Sequence, residues 1–144
     1  MQVKKMPYRI VSQVLSLVAG FFLCYFIVWI IGWSAAFTIS FEPYAQVLEY
    51  STTLAFAISG FVTIGIPVAL MFYVLAFALR QTVGTAQPLL LAAPPLLLIL
   101  LGLSSHFSRE DAFELLFLSL TQYIPLIAIV AFLYRQEKRN TSLQ

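Results

Sequence analysis

The chain has 144 residues, of which 61% are hydrophobic and 10% are charged, with a formal net charge of +2. A soluble domain carries about 25% charged residues, so this chain has too few polar side chains to cover a surface in water. The composition therefore excludes a water-soluble globular domain and predicts an integral membrane protein.

Four apolar stretches are long enough to cross a bilayer, because a transmembrane helix needs about 20 residues. They run approximately over residues 10–33, 53–79, 83–103 and 112–134. These lengths predict an all-α fold, a bundle of four transmembrane helices that forms one membrane domain over residues 1–144. An outer interfacial segment over 34–52 and a tail over 135–144 complete the chain.

The charges indicate how the four spans are oriented. One side of the membrane receives seven basic residues and a single acidic one, Glu137, for a net charge of +6. The other side receives Arg109 and five acidic residues, for a net charge of −4. The basic set is Lys4, Lys5, Arg9, Arg80, Arg135, Lys138 and Arg139. Because basic residues collect on the cytoplasmic side, both termini are predicted to be cytoplasmic.

The segment between the first two spans contains EPYAQVLEY, which has helical periodicity. Tyr44, Val47, Leu48 and Ser51 share one face, so we expect a short helix on the outer membrane surface with this face toward lipid. Either it shields its own backbone as a linker, which we favour, or it docks a partner. The candidate outer docking surface comprises Glu42, Tyr44, Glu49, His106, Glu110 and Asp111.

Prolines recur near the middle of three spans. The stretch QPLLLAAPPLLLILLGL carries Pro94 and Pro95 at its centre, and Pro67 and Pro125 lie at a similar depth in the second and fourth spans. A proline lacks an amide hydrogen and displaces the carbonyl four residues earlier. In lipid such a carbonyl is costly unless the protein satisfies it, so the prolines predict a packed bundle with kinks in helices two to four.

The second and fourth spans share the pattern T-x-x-I-P. Thr63 and Thr121 stand four residues before Pro67 and Pro125, where a hydroxyl is well placed to help satisfy the freed carbonyl. Both spans run in the same direction in the predicted topology, which hints at a parallel repeat of two hairpins. Three identities in five positions are a weak pattern in so apolar a chain.

Polar side chains accompany these prolines on the fourth span, where Ser119, Gln122 and Tyr123 share a face. They are interpreted either as interhelical contacts, which we favour, or as the lining of a small polar cavity of the kind transporters use. The candidate mid-depth residues are Thr63, Pro67, Pro94, Pro95, Ser119, Thr121, Gln122, Tyr123 and Pro125.

The turn before the fourth span reads SSHFSREDAFE and has two interpretations. His106, Glu110 and Glu114 fall at i, i+4 and i+8, a spacing that suits a metal site on a helix. Ser108 followed by Asp111 fits a capping box, which would leave His106 outside the helix. Zinc sites need three or four converging ligands, so we favour the cap and expect no metal.

Chemistry-bearing residues are scarce in the spans. Apart from Glu114 at the outer end of the fourth span, no Asp, Glu, Lys, Arg or His lies within them, and Cys24 is the single cysteine. No nucleophile has a base nearby, so we expect no enzyme and no cofactor. The favoured function is a non-enzymatic membrane protein that packs against a membrane partner, as an accessory subunit, assembly factor or immunity-type inhibitor. The alternative is an oligomeric transporter or channel for a neutral or lipid-like solute.

The expected partners are the lipid bilayer and either another membrane protein or further copies of this chain. The basic tail suits anionic headgroups rather than nucleic acid. KKMPYR resembles the start of a secretory signal, but the apolar run after it exceeds the usual h-region of about 7–15 residues, so we expect no cleavage. A compact chain without a cleaved leader favours a bacterial inner membrane.

Overall fold

A computed structural model describes residues 5–39, 42–104 and 112–142. Their regular structure is entirely helical, which confirms the all-α part of the predicted fold class. The elements are α1 (Lys5–Ile39), α2 (Glu42–Tyr50), α3 (Thr52–Gly60), a π-helical turn (Phe61–Gly65), α4 (Ile66–Val83), α5 (Pro88–Ser104) and α6 (Ala112–Ser142). The π turn joins α3 to α4 without a break, and we call the continuous unit the α3–α4 helix.

Three helices in the described residues are long and apolar enough to cross a membrane. The apolar stretches are Ile10–Ala36, Thr52–Val83 and Leu116–Arg139. The third predicted span corresponds to α5, which has 17 residues and is therefore shorter than the other three. At 1.5 Å per residue, α5 is about 25 Å long, close to the lower limit for crossing the hydrocarbon core.

The boundary between the second and third predicted spans was wrong, because α4 continues to Val83 and α5 begins only at Pro88. Gly84 ends α4 in the left-handed conformation, with φ of 80°, and its amide donates to the Arg80 carbonyl. Glycine adopts this conformation without the steric cost of a Cβ, and proline suits the first turn of the next helix. The residues between them form the connecting loop.

The boundary at the end of the first span was also placed too early. α1 continues through Ser34 to Ile39, and the Ser34 side chain is buried in the bundle rather than lying in a surface connection. The predicted short helix is confirmed as α2, with Val47 half-buried and Glu49 exposed. Ser51 does not share its face, because its hydroxyl caps α3 by accepting from the Leu54 amide at 3.3 Å.

The contacts between helices arrange them as two parallel pairs. α1 and α5 run in the same direction, since Ser12 meets Thr85 and Gly20 meets Pro94 farther along both helices. The α3–α4 helix and α6 form the second pair, with Gly60 beside Gln122 and Arg80 beside Gln136. α1 also packs against the α3–α4 helix, and α5 against α6.

This arrangement separates the charges of the described residues. The ends of α4 and α6, with Arg80, Arg135, Lys138 and Arg139, lie together with the start of α5, and we call this region the basic end. Glu49 and Glu114 lie in α2 and in the first turn of α6, at the opposite end. The clustering of basic residues that the sequence predicted is therefore present among these side chains.

The core is a continuous apolar cluster along the bundle. Leu23, Ile27, Phe72, Leu91 and Leu126 are at most 1% exposed, and they come from α1, α4, α5 and α6. Many large hydrophobic side chains on the outer faces of the same helices are more than 40% exposed. A surface of this kind suits contact with lipid rather than with water.

The π turn ends at Gly65, two residues before Pro67. The Ile66 amide donates to the Phe61 carbonyl, five residues earlier, where an α-helix would bond four residues apart. The wider turn accommodates a proline that cannot donate to the helix and whose ring would collide with the Thr63 carbonyl. In contrast, α5 and α6 remain α-helical through their prolines.

Candidate functional site

The mid-depth residues predicted from the sequence divide between the two parallel helix pairs. Pro94 and Pro95 are buried on α5, where Pro94 faces α1. Gln122 and Pro125 of α6 face the α3–α4 helix, which contributes Thr63 and Pro67 itself. The structure therefore distributes these side chains over two helix interfaces rather than around one centre.

Two glycines of the α3–α4 helix lie where α6 packs against it. A Cβ at Gly60 would lie 2.6 Å from Nε2 of Gln122, so the amide side chain occupies the space that the missing side chain leaves. A Cβ at Gly65 would overlap the carbonyl oxygen of Gln122 and lie 3.1 Å from Cγ of Pro125. These glycines allow the two backbones to approach closely, as small residues do between membrane helices.

A third glycine plays the same part between α1 and α5. A Cβ at Gly20 would lie 2.6 Å from the Leu91 carbonyl oxygen and 2.9 Å from both Cγ and Cδ of Pro94. In both pairs a glycine thus faces a proline ring together with the carbonyl three residues before it. Two of the four prolines predicted at mid-depth, Pro94 and Pro125, are thus contact surfaces for glycines on the neighbouring helix.

The threonine hydroxyls that precede Pro67 and Pro125 bond differently from our expectation. The Thr63 hydroxyl donates to the Ser59 carbonyl at 2.8 Å, and the Thr121 hydroxyl donates to the Phe117 carbonyl at 2.7 Å. Each hydroxyl has one hydrogen and uses it on the carbonyl four residues earlier, not on the carbonyl freed by the proline.

Thr63 also links two helices. Its oxygen is hydrogen-bonded to the hydroxyl of Ser34 on α1, and because Thr63 donates to Ser59, Ser34 is the donor in this bond. Ser119 and Tyr123 of α6 are half-buried, and Tyr123 packs against the apolar core. Thr63 and Tyr123 therefore make contacts between helices, whereas the Thr121 hydroxyl bonds within its own helix.

A pair of buried serines near the basic end was not recognised as a site from the sequence. The Ser12 hydroxyl donates to the Thr85 carbonyl at 2.9 Å and accepts from the Thr85 hydroxyl at 3.2 Å. Ser16 accepts from the Gln87 amide at 3.3 Å. Both serines are at most 1% exposed, so they hold the loop between α4 and α5 against α1. The sequence feature that could have identified these serines is their spacing of four residues within an apolar span.

The outward face of α1 carries aromatic side chains. Tyr25 is 72% exposed, and the exposed Trp29 and Trp33 stack with their ring centroids 6.3 Å apart. Gly32 lies seven residues after Tyr25, on the same face, and a Cβ there would meet nothing within 4 Å. This face therefore combines large exposed rings with an exposed glycine that no other part of the described chain contacts.

A shallow apolar groove of about 400 Å³ lies between α4 and α6. Ala69 and Ala128 contribute small side chains to it, Pro125 lines its middle, and Tyr73 and Phe132 line it farther along their helices. None of its lining residues is charged, and its surface is almost entirely apolar, although Tyr73 carries a hydroxyl.

The predicted outer docking surface lies mostly beyond the described side chains. Glu49 is exposed on α2, whereas the side chains of Glu42 and Tyr44 fall outside the described set. His106, Glu110 and Asp111 lie outside the described residues. The metal-site and capping-box interpretations of the turn before α6 therefore both stay predictions. Among the residues that are described, no three His, Cys, Asp or Glu side chains come together.

No family model, curated protein or solved structure matches this chain. Its function is therefore inferred from the geometry of its own residues.

Proposed function

We propose that this chain is a small membrane protein without enzymatic activity that packs its helices against a membrane-protein partner. In this role it is an accessory subunit, an assembly factor or an immunity-type inhibitor of a larger membrane protein. The supporting observation is the outward face of α1, where a tyrosine hydroxyl and an open space lie on one side of the same helix.

Tyr25 lies two residues beyond the centre of the apolar stretch Ile10–Ala36 and projects outward with 72% of its surface exposed. A hydroxyl in hydrocarbon costs free energy unless it forms a hydrogen bond. The open space beside Gly32 lets a second helix approach the backbone of α1. A partner helix with an acceptor opposite Tyr25 would satisfy the hydroxyl and fill this space.

Photo-crosslinking in native membranes tests the partner. p-Benzoylphenylalanine in place of Tyr25 is expected to form one discrete adduct with another protein, which disappears when Gly32→Leu fills the open space. Tyr73 is the matched control, because it is an exposed tyrosine on α4 at 44% exposure. Equal adducts from both positions, or an adduct that survives Gly32→Leu, would contradict the proposal. An adduct only with further copies of the chain would favour the homo-oligomer instead.

The proposed topology has four spans with both termini in the cytoplasm, of a bacterial inner membrane. It is supported by the basic end and by the length of α5, which falls within the range of about 17–25 residues for a span. Single cysteines at positions 49 and 80, in a Cys24→Ala background, should react with an impermeant maleimide from opposite sides. Reaction from the same side would overturn the topology.

The transporter alternative has less support. The mid-depth side chains that would line its cavity include Gln122, Pro94 and Pro125, and each contacts a glycine on a neighbouring helix. Such contacts are what packing requires. If the chain were a transporter using these residues, Gln122→Leu and Tyr123→Phe would abolish uptake, and unchanged uptake would reject that function.

A further inference from the structure

The outward face of α5 consists of leucines that face the surrounding membrane. Leu97, Leu100 and Leu101 are each at least 60% exposed, and they lie three and four residues apart, on one side of the helix. Side chains of this kind suit contact with acyl chains. What distinguishes α5 from the other spans is therefore its length rather than the chemistry of its surface.

The apolar part of α5 is shorter than the hydrocarbon core of a typical bilayer. It covers Pro88–Gly102, whereas the apolar stretch of α1 has 27 residues and that of the α3–α4 helix has 32. At 1.5 Å per residue, Pro88–Gly102 extends about 22 Å, against a hydrocarbon thickness of about 30 Å. The shortfall is about 8 Å.

Contacts with α1 show that the inner end of α5 is recessed. The Gln87 amide, directly before α5, donates to the hydroxyl of Ser16, which lies six residues inside the α1 stretch that starts at Ile10. The start of α5 therefore lies about 9 Å inside the end of that stretch. Ser12 and Thr85 hydrogen-bond to each other in the same interval, so polar groups of the loop occupy a depth that α1 alone would assign to hydrocarbon.

The outer end of α5 is recessed as well. Gly20 of α1 faces Leu91 and Pro94, and the two helices run in the same direction with the same rise per residue. Gly102 is therefore level with about residues 28–31 of α1. The apolar stretch of α1 continues to Ala36, about 8–12 Å farther along the helix. The bundle thus presents a thin apolar belt along α5.

We propose that the bilayer is locally thinned along the outward face of α5 and that phospholipids with short acyl chains collect there. A span shorter than the hydrocarbon core is accommodated by a thinner bilayer or by flanking side chains that reach the headgroups. Gln87 and Ser104 flank the apolar part of α5 and lack the long charged stems by which lysine and arginine reach headgroups. The inference rests on the four-span topology proposed above, but not on the partner surface around Tyr25.

Quenching of single tryptophans by brominated phosphatidylcholines tests the proposal in the full chain. Trp29→Phe and Trp33→Phe remove the two native tryptophans. Leu97→Trp then places one reporter on α5, and Leu70→Trp on α4 is the matched control, because both leucines are 60% exposed. The protein is reconstituted in dioleoyl phosphatidylcholine, and brominated short-chain (dimyristoleoyl) or long-chain (dierucoyl) lipid is added.

At the α5 reporter the short-chain lipid is expected to bind about threefold more strongly than the long-chain lipid. At the α4 reporter this preference should be absent or reversed, because the α3–α4 helix has the longer apolar stretch. The same preference at both reporters, or no preference for the short-chain lipid at Leu97→Trp, would overturn the thinning. If Leu97→Trp does not fold, Leu101→Trp replaces it, at 69% exposure.

A longer α5 separates helix length from other causes. Ser104→Leu combined with Ser105→Leu extends the apolar run by two residues and should weaken the preference for the short-chain lipid at the α5 reporter. An unchanged preference in this variant would mean that length is not the cause. Labelling of positions 49 and 80 from opposite sides together with equal quenching at both reporters would reject the thinning alone, whereas labelling from the same side would reject the topology.

Discussion

In each of the two parallel helix pairs, a glycine of one helix packs against a proline ring and a backbone carbonyl of the other helix, but the two carbonyls differ. Between α1 and α5, Gly20 faces the Leu91 carbonyl and the ring of Pro94. Between the α3–α4 helix and α6, Gly65 faces the Gln122 carbonyl and the ring of Pro125. In both pairs glycine brings two backbones together beside a proline, although the sequences around these residues differ.

The difference lies in which carbonyl faces the glycine. An α-helical carbonyl accepts from the amide four residues later, so Pro95 deprives the Leu91 carbonyl of its donor. The Gln122 carbonyl has Leu126 four residues later and keeps a potential donor. The consecutive prolines of α5 therefore have separate effects. Pro94 supplies a packing surface, and Pro95 frees the Leu91 carbonyl that faces Gly20.

The largest effect is expected from adding a methyl group at these two glycines. Gly20→Ala and Gly65→Ala should each lower the free energy of unfolding by about 2–3 kcal/mol, because the new Cβ overlaps a backbone carbonyl that cannot rotate away. Unfolding of the purified protein by titration with a denaturing detergent measures this change. Gly32→Ala is the control and should change little, since nothing lies within 4 Å. If all three variants lose equal stability, helix approach is not the reason.

A smaller effect is expected from the two buried serines of α1, which bond to the loop after α4. Ser12→Ala and Ser16→Ala should each cost about 1 kcal/mol, since they remove hydrogen bonds from the buried edge of the loop after α4. Ser104→Ala should cost almost nothing, because Ser104 is exposed and bonds only within its own helix, to Leu101. The same unfolding titration compares the three variants. No difference between Ser104→Ala and the other two would mean that the loop is held by other contacts.

The smallest effect is expected at Gly60, which distinguishes side-chain from backbone contacts in the second pair. Gly60→Ala meets the side chain of Gln122, which can rotate away, so it should cost about 0.5–1 kcal/mol, less than Gly65→Ala. In a Gln122→Ala background this cost should vanish. A double-mutant cycle measures the coupling, and strictly additive effects would show that the two residues do not share this space.

Much of the architecture was predictable from local patterns. The short helix α2 was predicted from its periodicity, and the clustering of basic residues at one end followed from counting spans. Boundaries were less accurate. Ser34 was assigned to a surface connection because the first span was ended at residue 33. It is instead buried and bonds to Thr63, a contact that exists only once two helices are packed.

The mid-depth site was predicted only in part. The prolines and Gln122 were identified because such residues are unusual in apolar helices. Their partners Gly20, Gly60 and Gly65 were not matched to them, since nothing local indicates which glycine a proline will face. For the same reason the threonine hydroxyls were assigned to freed carbonyls, whereas the helix geometry directs them to carbonyls four residues earlier.

The sequence by itself determined that this chain consists of apolar helices compatible with lipid, and which ends of those helices carry basic residues. Chain length, charge and backbone conformational preference are properties of single segments, so no packing is needed to read them. Only the tertiary structure decided which helices pair, and which faces turn inward. A helix that is apolar on every side has no periodic pattern that marks its buried face. The position of one helix relative to its neighbour therefore depends on how glycines pack against prolines, which only the tertiary structure shows.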